Sequence, residues 1–405
     1  MYHPRTLENF IPKASASFPV LLVTGARQVG KTTLLRNLAG PKRSYVTLDD
    51  PLVLALARQD PALFLQRFQP PVLIDEIQYA PELLPLIKMA VDEDRTSGRF
   101  WLTGSQQFQL MRGVSESLAG RVGIVHMLGL SRMEAAGQGK NQRPFLPGPD
   151  LFQGGTQPLL TLSELYALIW RGSFPALAVA KSMDRDLFLG SYVQTYLQRD
   201  VRDLAQVGDE MAFLRFLRAT AARTGQLLNM AELARDADVA PNTAKRWISI
   251  LQASGLVYLL EPWFTNMTKR MVKTPKLYFL DTGLAAYLTE WSSPETLEAG
   301  AMAGAILETW VVGELLKSWW HNGLRAPFYF FRDKEQREVD VLIVQDGIAH
   351  PVEIKKTASP DRNAFRHFAA LDKVGLAVGP GAVISLARQP LPLTEKVWAI
   401  PAGCI

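Results

Sequence analysis

Glycine, lysine and threonine residues near the N-terminus are spaced for binding phosphate. Residues 25–32, GARQVGKT, match the pattern G-x-x-x-x-G-K-[ST] and lie between the apolar run VLLVT and a helical pattern. In such a loop, backbone N–H groups turn toward phosphate oxygens, and the N-terminus of the following helix adds a positive dipole. We expect Lys31 to reach the β- and γ-phosphates of ATP and Thr32 to hold Mg²⁺. The predicted ATP contacts of this segment are Gly25, Ala26, Arg27, Gln28, Val29, Gly30, Lys31, Thr32 and Thr33.

A second apolar segment, VLIDE at residues 72–76, ends in two carboxylates. A buried strand would deliver Asp75 to the C-terminal edge of a sheet, beside the phosphate loop. Asp75 would then bind Mg²⁺ through water, and Glu76 would orient or activate the attacking water. The alternative is an acidic pair that caps a strand at a surface turn. The neighbouring phosphate loop favours the first interpretation.

The first 130 residues alternate between short apolar runs and helical patterns. The runs are VLLVT, SYVTL, VLIDE, FWLTG and VGIVHML. This alternation predicts an α/β fold with a parallel sheet and helices on its faces. Residues 136–158 are rich in Gly, Pro and Gln and predict a long loop or a boundary, whereas residues 161–228 are mostly helical in pattern.

Composition limits the class of protein. A chain of 405 residues is too long for one ordinary core, and 48% hydrophobic with 20% charged residues indicates globular domains. The net charge of +5 permits contact with nucleic acid without establishing it. Cys404 is the single cysteine, which excludes a disulfide framework or a cysteine-based zinc site within the chain. We expect no signal peptide and no membrane span, and therefore a cytoplasmic protein.

Adjacent Asp75 and Glu76 after a strand resemble the AAA+ ATPases. This resemblance implies that a polar residue at the end of FWLTGS senses the γ-phosphate. Asn is common at that position in the family, so the choice between Thr103 and Ser105 stays open.

Two further segments extend the resemblance to the AAA+ ATPases, one through an arginine and the other through a proline. Arg121, in SLAGRV, resembles the arginine finger of the family, which stabilises transition-state charge; an ordinary surface arginine is the alternative. The segment GSFP at residues 172–175 resembles the lid motif of a related group of ATPases, which implies that Pro175 lies near the adenine.

Residues 229–263, the helix-turn-helix segment, have the pattern helix, turn, helix, strand. In the second helix, one face is apolar (Ala244, Trp247, Ile248 and Leu251) and the other polar (Asn242, Thr243, Lys245, Arg246 and Ser249). The segment and the following strands resemble a winged helix-turn-helix, which places the second helix in the major groove of DNA and a basic wing on phosphate. The predicted DNA contacts are Lys245, Arg246, Lys269, Arg270 and Lys273. Winged helices also dock proteins, and that alternative stays open.

Acidic residues and a lysine recur in the C-terminal quarter, in REVDVLIVQDGIAHPVEIKK at residues 337–356. The dipeptide DG at 346–347 predicts a turn between two strands. Alternation places Glu338, Asp340 and Leu342 on one face of the first strand and Glu353 with Lys355 on one face of the second. Upstream, Glu308 projects from the apolar stripe of a helix.

Glu308, Asp340, Glu353 and Lys355, in this order, resemble the PD-(D/E)XK nuclease core. The resemblance implies that Asp340 and Glu353 coordinate Mg²⁺ or Mn²⁺, that Lys355 positions the attacking water, and that Glu308 completes the site. The hairpin has EVD where Pro-Asp would be the plain form. The alternative is a solvated acidic hairpin with a lysine at its edge.

The whole chain resembles a large bacterial and archaeal family that joins an AAA+ ATPase domain to a C-terminal domain with a nuclease-like core. The implied division is an AAA+ domain (1–135), a loop and helical lid (136–205), a winged helix-turn-helix domain (206–285) and a nuclease-like domain (295–405). We expect an ATP-hydrolysing protein that acts on DNA as a homo-oligomeric ring, such as a hexamer. The alternative is a nucleotide-dependent regulatory switch whose later domains only bind partners.

Overall fold

The N-terminal part of the chain folds around a five-stranded parallel sheet. The computed structural model describes residues 2–105, 114, 116–148, 160–180, 182–196, 210–264 and 274–405. The strands are β1 Val20–Thr24, β2 Ser44–Thr47, β3 Val72–Asp75, β4 Phe100–Gly104 and β5 Val122–His126, in the order β2-β3-β4-β1-β5. Every pairing is parallel, which confirms the predicted α/β sheet.

Both faces of this sheet are covered, as expected for a parallel sheet of near-continuous apolar strands. Along β1, Leu21 and Val23 pack into one apolar core, while Val20 and Leu22 pack into another. The helices of this part are α1 Ile11–Ser17, α2 Lys31–Leu38, α3 Pro51–Gln59, α4 Pro61–Arg67, α5 Leu83–Glu93 and α6 Arg132–Ala135. Because the strands are parallel, the loops after β1 and β3 meet at one edge.

A buried carboxylate, that of Glu134, joins the N-terminal segment to this sheet and to the C-terminal part. Arg5 Nε lies 3.1 Å from Glu134 Oε2, and His321 Nδ1 lies 3.1 Å from Glu134 Oε1. The backbone N–H of Leu128 donates to His321 Nε2 at 3.2 Å, so the imidazole proton is on Nδ1 and faces the carboxylate. Arg5 also donates to the carbonyl of Val29 at 2.9 Å, which fixes the phosphate loop.

The middle part is helical with a small antiparallel sheet. Its helices are α7 Leu162–Arg171, α8 Pro175–Val179, α9 Arg185–Tyr196, α10 Glu210–Ala221, α11 Met230–Asp236 and α12 Pro241–Ala253. The strands β6 Gln226–Leu227, β7 Val257–Leu260 and β8 Lys276–Phe279 pair in the order β6-β8-β7. Part of the predicted helical stretch and the basic loop before β8 lie outside the described residues.

The second helix of the helix-turn-helix segment, α12, has the two faces that the sequence predicts. Its apolar face is buried: Ala244, Trp247, Ile248 and Leu251. On its other face, Asn242, Lys245, Arg246 and Ser249 are exposed and Thr243 is half-buried. The indole of Trp247 packs edge-on against Phe213 and Phe216 of α10, which anchors the helix.

The C-terminal part packs a long buried helix against a mixed sheet. Its helices are α13 Thr282–Leu288, α14 Pro294–Ala299 and α15 Ala303–Trp320. Its strands are β9 Phe328–Arg332, β10 Glu338–Gln345, β11 Ile348–Lys355, β12 Ala377–Val378, β13 Gly381–Ser385, β14 Leu391–Pro392 and β15 Val397–Pro401. Their order is β14-β15-β13-β11-β10-β9, with β12 against β11. Across the described ranges, no helix is both long and apolar enough to cross a membrane.

The predicted hairpin is present, but its alternation is interrupted. Strands β10 and β11 pair antiparallel around Asp346 and Gly347, both of which have positive φ. Between Val339 and Leu342 the pairing with β9 shifts register, and Leu342 packs in the same apolar cluster as Val339. The prediction that Leu342 shares a face with Glu338 is therefore wrong, because a bulge redirects the side chains that follow it.

Candidate functional site

The phosphate loop connects β1 to α2 through a backbone that requires glycine. Gly30 has φ of +96°, a left-handed conformation that glycine adopts at little cost. A Cβ on Gly25 would lie 2.0 Å from the carbonyl oxygen of Met127, so only glycine fits there. Lys31 Nζ donates to the carbonyls of Gly25 and Ala26 at 3.1 and 2.9 Å. The ammonium is thus held at the loop, beside the backbone N–H groups that are expected to bind phosphate.

The carboxylate of Asp75 gathers three hydroxyl groups at the C-terminal edge of the sheet. Its Oδ1 accepts from Thr32 Oγ1 at 2.7 Å and from Thr103 Oγ1 at 2.5 Å, and its Oδ2 accepts from Tyr45 OH at 3.2 Å. An oxygen-only group of donors is what Mg²⁺ prefers, and Thr32 and Asp75 therefore fit the ion that was predicted for them. Tyr45 was not predicted.

Glu76 is held in a left-handed conformation, with φ of +58°. Such a conformation is uncommon for a residue other than glycine, and it aims the side chain toward β4. Ser105 Oγ donates to Glu76 Oε2 at 3.2 Å, and Gln78 Nε2 donates to the same oxygen. The backbone N–H of Glu76 donates to Thr103 Oγ1 at 3.0 Å. Thr103 and Ser105, the two candidates for the γ-phosphate sensor, thus donate to different carboxylates: Thr103 to Asp75, and Ser105 to Glu76.

Arg121 lies at the other edge of the sheet. Its carbonyl accepts from the N–H of Val20, the first residue of β1, whereas the phosphate loop follows the last residue of that strand. A five-residue strand is about 16 Å long, which is beyond the reach of an arginine side chain. Arg121 Nε donates to Asp92 Oδ1 at 2.6 Å, and this hydrogen bond is the main reason that the pKa of Asp92 falls to about 2. The structure does not bring Arg121 to the phosphate loop of its own chain.

Pro175 begins α8 beside the phosphate loop. Its Cγ would lie 3.9 Å from a Cβ built on Gly30. Ser173 fixes the segment, because its N–H and hydroxyl both donate to Asp281 Oδ2, at 2.7 and 2.8 Å. The carbonyl of Ser173 in turn accepts from the N–H of Leu130, just after β5. The GSFP segment therefore bridges the sheet and the start of α13.

The helix-turn-helix segment contacts the phosphate loop directly. Gly255, two residues after α12, has φ of +68°, and a Cβ on it would lie 3.2 Å from the backbone nitrogen of Ala26. The sequence indicates Gly255 only as a residue that ends a helix. The contact brings the end of the predicted recognition helix against the loop that is expected to bind ATP.

The predicted basic residues are partly described. Lys245 and Arg246 project from the exposed face of α12. Lys269, Arg270 and Lys273 lie outside the described residues. Of the five proposed DNA contacts, the structure therefore describes only the two on α12, Lys245 and Arg246.

The C-terminal acidic residues converge, together with a lysine that the sequence analysis missed. Lys276 Nζ, on β8, lies 3.0 Å from Glu308 Oε1, 2.6 Å from Glu338 Oε1 and 3.6 Å from Asp340 Oδ1. Tyr278, two residues further along β8, donates to Glu308 Oε1 at 2.6 Å. A lysine within the strand pattern KLYFL was a usable signal, because lysine is almost never buried unless it is paired.

The second lysine of the cluster, Lys355, pairs with the remaining carboxylate. Its Nζ lies 2.5 Å from Glu353 Oε1 and 3.8 Å from Asp340 Oδ2. The backbone N–H of Ile354 also donates to Asp340 Oδ2, at 2.9 Å. The structure thus brings together Glu308, Asp340, Glu353 and Lys355, the four residues that the sequence grouped.

Burial and mutual repulsion change the acidity of this cluster. Burial first, and the charge of Asp340 second, raise the pKa of Glu308 to about 7 and that of Glu353 to about 8. The carboxylates around Lys276 raise the pKa of that lysine above its usual value, although burial alone would lower it. Near neutral pH, Glu308 and Glu353 therefore hold protons part of the time, whereas Lys276 and Lys355 keep their positive charges.

The cluster does not fit the metal that the sequence predicted for Asp340 and Glu353. Among the described residues, no three His, Cys, Asp or Glu side chains are grouped so as to hold a metal ion. The physical reason is that ammonium groups already pair with both predicted ligands. Lys355 Nζ lies 2.5 Å from Glu353 and 3.8 Å from Asp340, and Lys276 Nζ lies 3.6 Å from the other oxygen of Asp340. The expectation of Mg²⁺ or Mn²⁺ at this site is corrected accordingly.

Comparison with known protein families agrees with the N-terminal site. Residues 17–136 match an AAA domain family, residues 162–295 match a domain of unknown function (DUF8612), and residues 303–405 match a domain of unknown function (DUF4143). The parallel sheet, the phosphate loop and the Asp75–Glu76 pair all lie within residues 17–136 and agree with this AAA domain match.

Two mycobacterial proteins are similar along nearly the whole chain. They are the uncharacterized protein Rv2008c of Mycobacterium tuberculosis and the uncharacterized protein Mb2031c of Mycobacterium bovis. Each is 33% identical over 392 residues, which is 96% of this chain and 81% of the relative. The chain therefore belongs to the same family as these two proteins.

Solved structures resemble the chain more distantly. The RuvB Holliday junction branch migration motor of Thermotoga maritima is 18% identical, covering 62% of this chain and 88% of that chain, with a TM-score of 0.32. AMPPCP-bound DnaA from Aquifex aeolicus is 14% identical, covering 61% and 85%, with a TM-score of 0.28. TM-scores this low support no inference about function.

The geometry around Glu76 predicts how its amide variant behaves. Glu76→Gln should bind ATP like the wild type but turn it over about 10²–10⁴-fold more slowly, because the amide cannot accept a proton from water. Glu82→Gln, an exposed glutamate on the same loop, is the matched control and should keep the wild-type rate. Steady-state phosphate release and calorimetric ATP binding measure both effects. A Glu76→Gln protein with the wild-type turnover rate would exclude Glu76 as the residue that activates water.

Proposed function

We propose that the protein hydrolyses ATP and uses the cycle to move or remodel DNA. The observation that carries this proposal is the contact between Gly255 and the backbone of Ala26. It joins a helix with exposed basic residues to the loop that is expected to hold the phosphates of ATP. A movement of that loop during hydrolysis would therefore displace the C-terminal end of α12.

At the ATP site, each side chain has a separate task. Lys31 neutralises charge on the β- and γ-phosphates, and Thr32 and Asp75 would hold Mg²⁺, which stabilises charge on the phosphates. Glu76 orients the attacking water or accepts a proton from it. Thr103 fixes Asp75, while Ser105 and Gln78 fix Glu76. A γ-phosphate that contacts Thr103 would therefore shift the Asp75 carboxylate, and one that contacts Ser105 would shift the Glu76 carboxylate. Pro175, beside Gly30, contributes to the pocket for the adenine.

The helix-turn-helix segment is the proposed site of DNA contact. In this proposal, residues 206–285 form a winged helix-turn-helix domain between a lid at 136–205 and the C-terminal domain at 295–405. Lys245 and Arg246 on α12 and three basic residues of the wing (Lys269, Arg270 and Lys273) bind phosphate. The exposed polar face of α12 supports this role, because its apolar face is fully used in packing.

The proposal is tested by the ATP turnover rate with and without single-stranded, duplex and branched DNA. DNA should stimulate the wild type. Replacing Lys245 and Arg246 by Ala should abolish most of the stimulation and reduce the log–log salt slope of duplex binding by about 0.9 for each lost phosphate contact. The basal rate without DNA should stay unchanged, because neither residue is in the ATP site. Turnover indifferent to every DNA, with an unchanged salt slope, would contradict DNA as the partner.

We further propose that the active form is a homo-oligomeric ring, such as a hexamer, in which Arg121 completes the site of a neighbouring subunit. The support is its position at the sheet edge opposite its own phosphate loop. Its ion pair with Asp92 is about a third exposed at both side chains, so Arg121 is accessible from outside the chain.

A mixing experiment tests Arg121 directly. Arg121→Ala should bind ATP but lose roughly 10³-fold or more in turnover, the value of an arginine finger. Lys31→Ala should lose turnover by losing the cation at the phosphates. Mixed oligomers of the two variants should regain part of the activity, because one subunit supplies the arginine and the other the intact loop. If mixed oligomers form and regain no activity, the arginine does not act between subunits.

A second candidate function is a nucleotide-dependent switch that assembles partners. The observation that favours it is the C-terminal cluster, in which lysines already pair with the carboxylates. That arrangement suits a domain that binds a partner rather than one that cleaves DNA. A switch would bind ATP tightly and turn it over slowly at a rate indifferent to DNA, so the turnover experiment also separates the two functions.

A further inference from the structure

We propose that the Lys276 ammonium is the resident cation of the C-terminal carboxylate cluster and excludes a divalent metal from it. The inference concerns a different site from the ATP site and does not rest on the proposed DNA function. It assigns to a residue of the middle part the neutralisation of carboxylates, Asp340 and Glu308 among them, that the resemblance to a nuclease core leaves to a metal ion.

The geometry matches an ammonium group. A lysine ammonium has three N–H donors, and three carboxylates surround Lys276 Nζ: Glu308 at 3.0 Å, Glu338 at 2.6 Å and Asp340 at 3.6 Å. A divalent ion needs ligand oxygens at about 2.0–2.6 Å from its own centre. An ion held by these three carboxylates would therefore occupy the volume where Nζ lies. The Lys276 side chain is 5% exposed, so it fills this volume and is shielded from solvent.

The charges point the same way. Lys355 pairs with Glu353 and approaches Asp340, so each of the carboxylates of the cluster has a lysine within 3.8 Å. Arg332 adds a further positive charge 3.6 Å from Glu338. A divalent cation entering the cluster would meet two ammonium groups at short range, and that repulsion is strong in a poorly hydrated site.

Lys276 and the carboxylates around it belong to different parts of the chain. It lies on β8, which pairs with β7 of the helix-turn-helix segment, whereas Glu308 lies on α15 and Asp340 on β10. Tyr278 of the same strand fixes Glu308 through its hydroxyl. The cluster therefore joins β8 to the C-terminal domain, and a metal could bind only if β8 withdrew its lysine.

The test is calorimetric titration of the full-length chain with Mn²⁺. All proteins carry Asp75→Asn, which removes the carboxylate ligand of the ATP site and leaves Thr32 as its only other proposed metal ligand. The Lys276-containing protein should bind no Mn²⁺ at the cluster. Lys276→Met should bind it at least about tenfold more tightly, since the central positive charge is gone, and adding Asp340→Asn should abolish the new binding.

Two matched controls separate charge from packing. Lys276→Arg keeps the charge and should stay without metal. Lys317→Met removes another buried lysine, which pairs with Glu314 at 2.6 Å outside the cluster, and should create no site.

Two results would overturn the inference. One is Mn²⁺ binding by the Lys276-containing protein that disappears with Asp340→Asn; this comparison decides the question even if Lys276→Met fails to fold, as judged by circular dichroism. The other is a folded Lys276→Met protein that takes up no Mn²⁺, because the ammonium would then not be what keeps the metal out.

Discussion

The position of the phosphate loop depends on the buried ion pair between Glu134 and Arg5. Removing a carboxylate from water costs several kcal/mol, and the loss is offset only where charged and N–H donors surround the group. Here the donors are Arg5, His321 and the backbone N–H groups of Thr6 and Ser131. Although burial raises the pKa of Glu134, the charge of Arg5 and the other donors outweigh that effect and lower it, so the group stays ionised.

This network of Glu134, Arg5 and His321 holds the phosphate loop in place. Arg5 uses its remaining N–H groups on the carbonyls of Val29 and Leu128, one in the loop and one after β5. Nδ1 of His321, just after α15, lies 3.1 Å from the same carboxylate. The N-terminal segment, the loop and the longest helix of the C-terminal part therefore share one buried charge, and displacement of any of them disturbs the others.

Local patterns of the sequence predict much of the fold and of the ATP site. The five strands, the phosphate loop, the two faces of α12 and the hairpin at 346–347 each follow from residues close together in the chain. Glu308, Asp340, Glu353 and Lys355 also meet as expected. For the strands, the loop, α12 and the hairpin, the period of the pattern and the turn residues are enough, because they depend on backbone geometry. The meeting of Glu308 with the hairpin residues was implied by the resemblance to a nuclease core.

What the sequence does not show depends on contacts between distant segments. Lys276 belongs to a strand whose pattern says nothing of the carboxylates it meets, and so the sequence predicts a metal at a cluster where the structure places a lysine. The bulge that redirects Leu342 arises from pairing with β9, which no alternation within β10 reveals. Gln78 and Gly255 become functional candidates only when β4 and the phosphate loop lie beside them.

We propose that the helix-turn-helix segment controls the ATP site through Gly255. The measurement that tests it most directly is the ratio of ATP turnover with duplex DNA to turnover without it, at saturating ATP, for Gly255→Ala. Gly347→Ala is the matched control, because Gly347 has a similar positive φ of +78° but nothing within 4 Å of an added Cβ. We predict that Gly255→Ala loses the stimulation by DNA, since the new Cβ presses on Ala26, while Gly347→Ala keeps it. Equal stimulation in both variants and the wild type would contradict the claim.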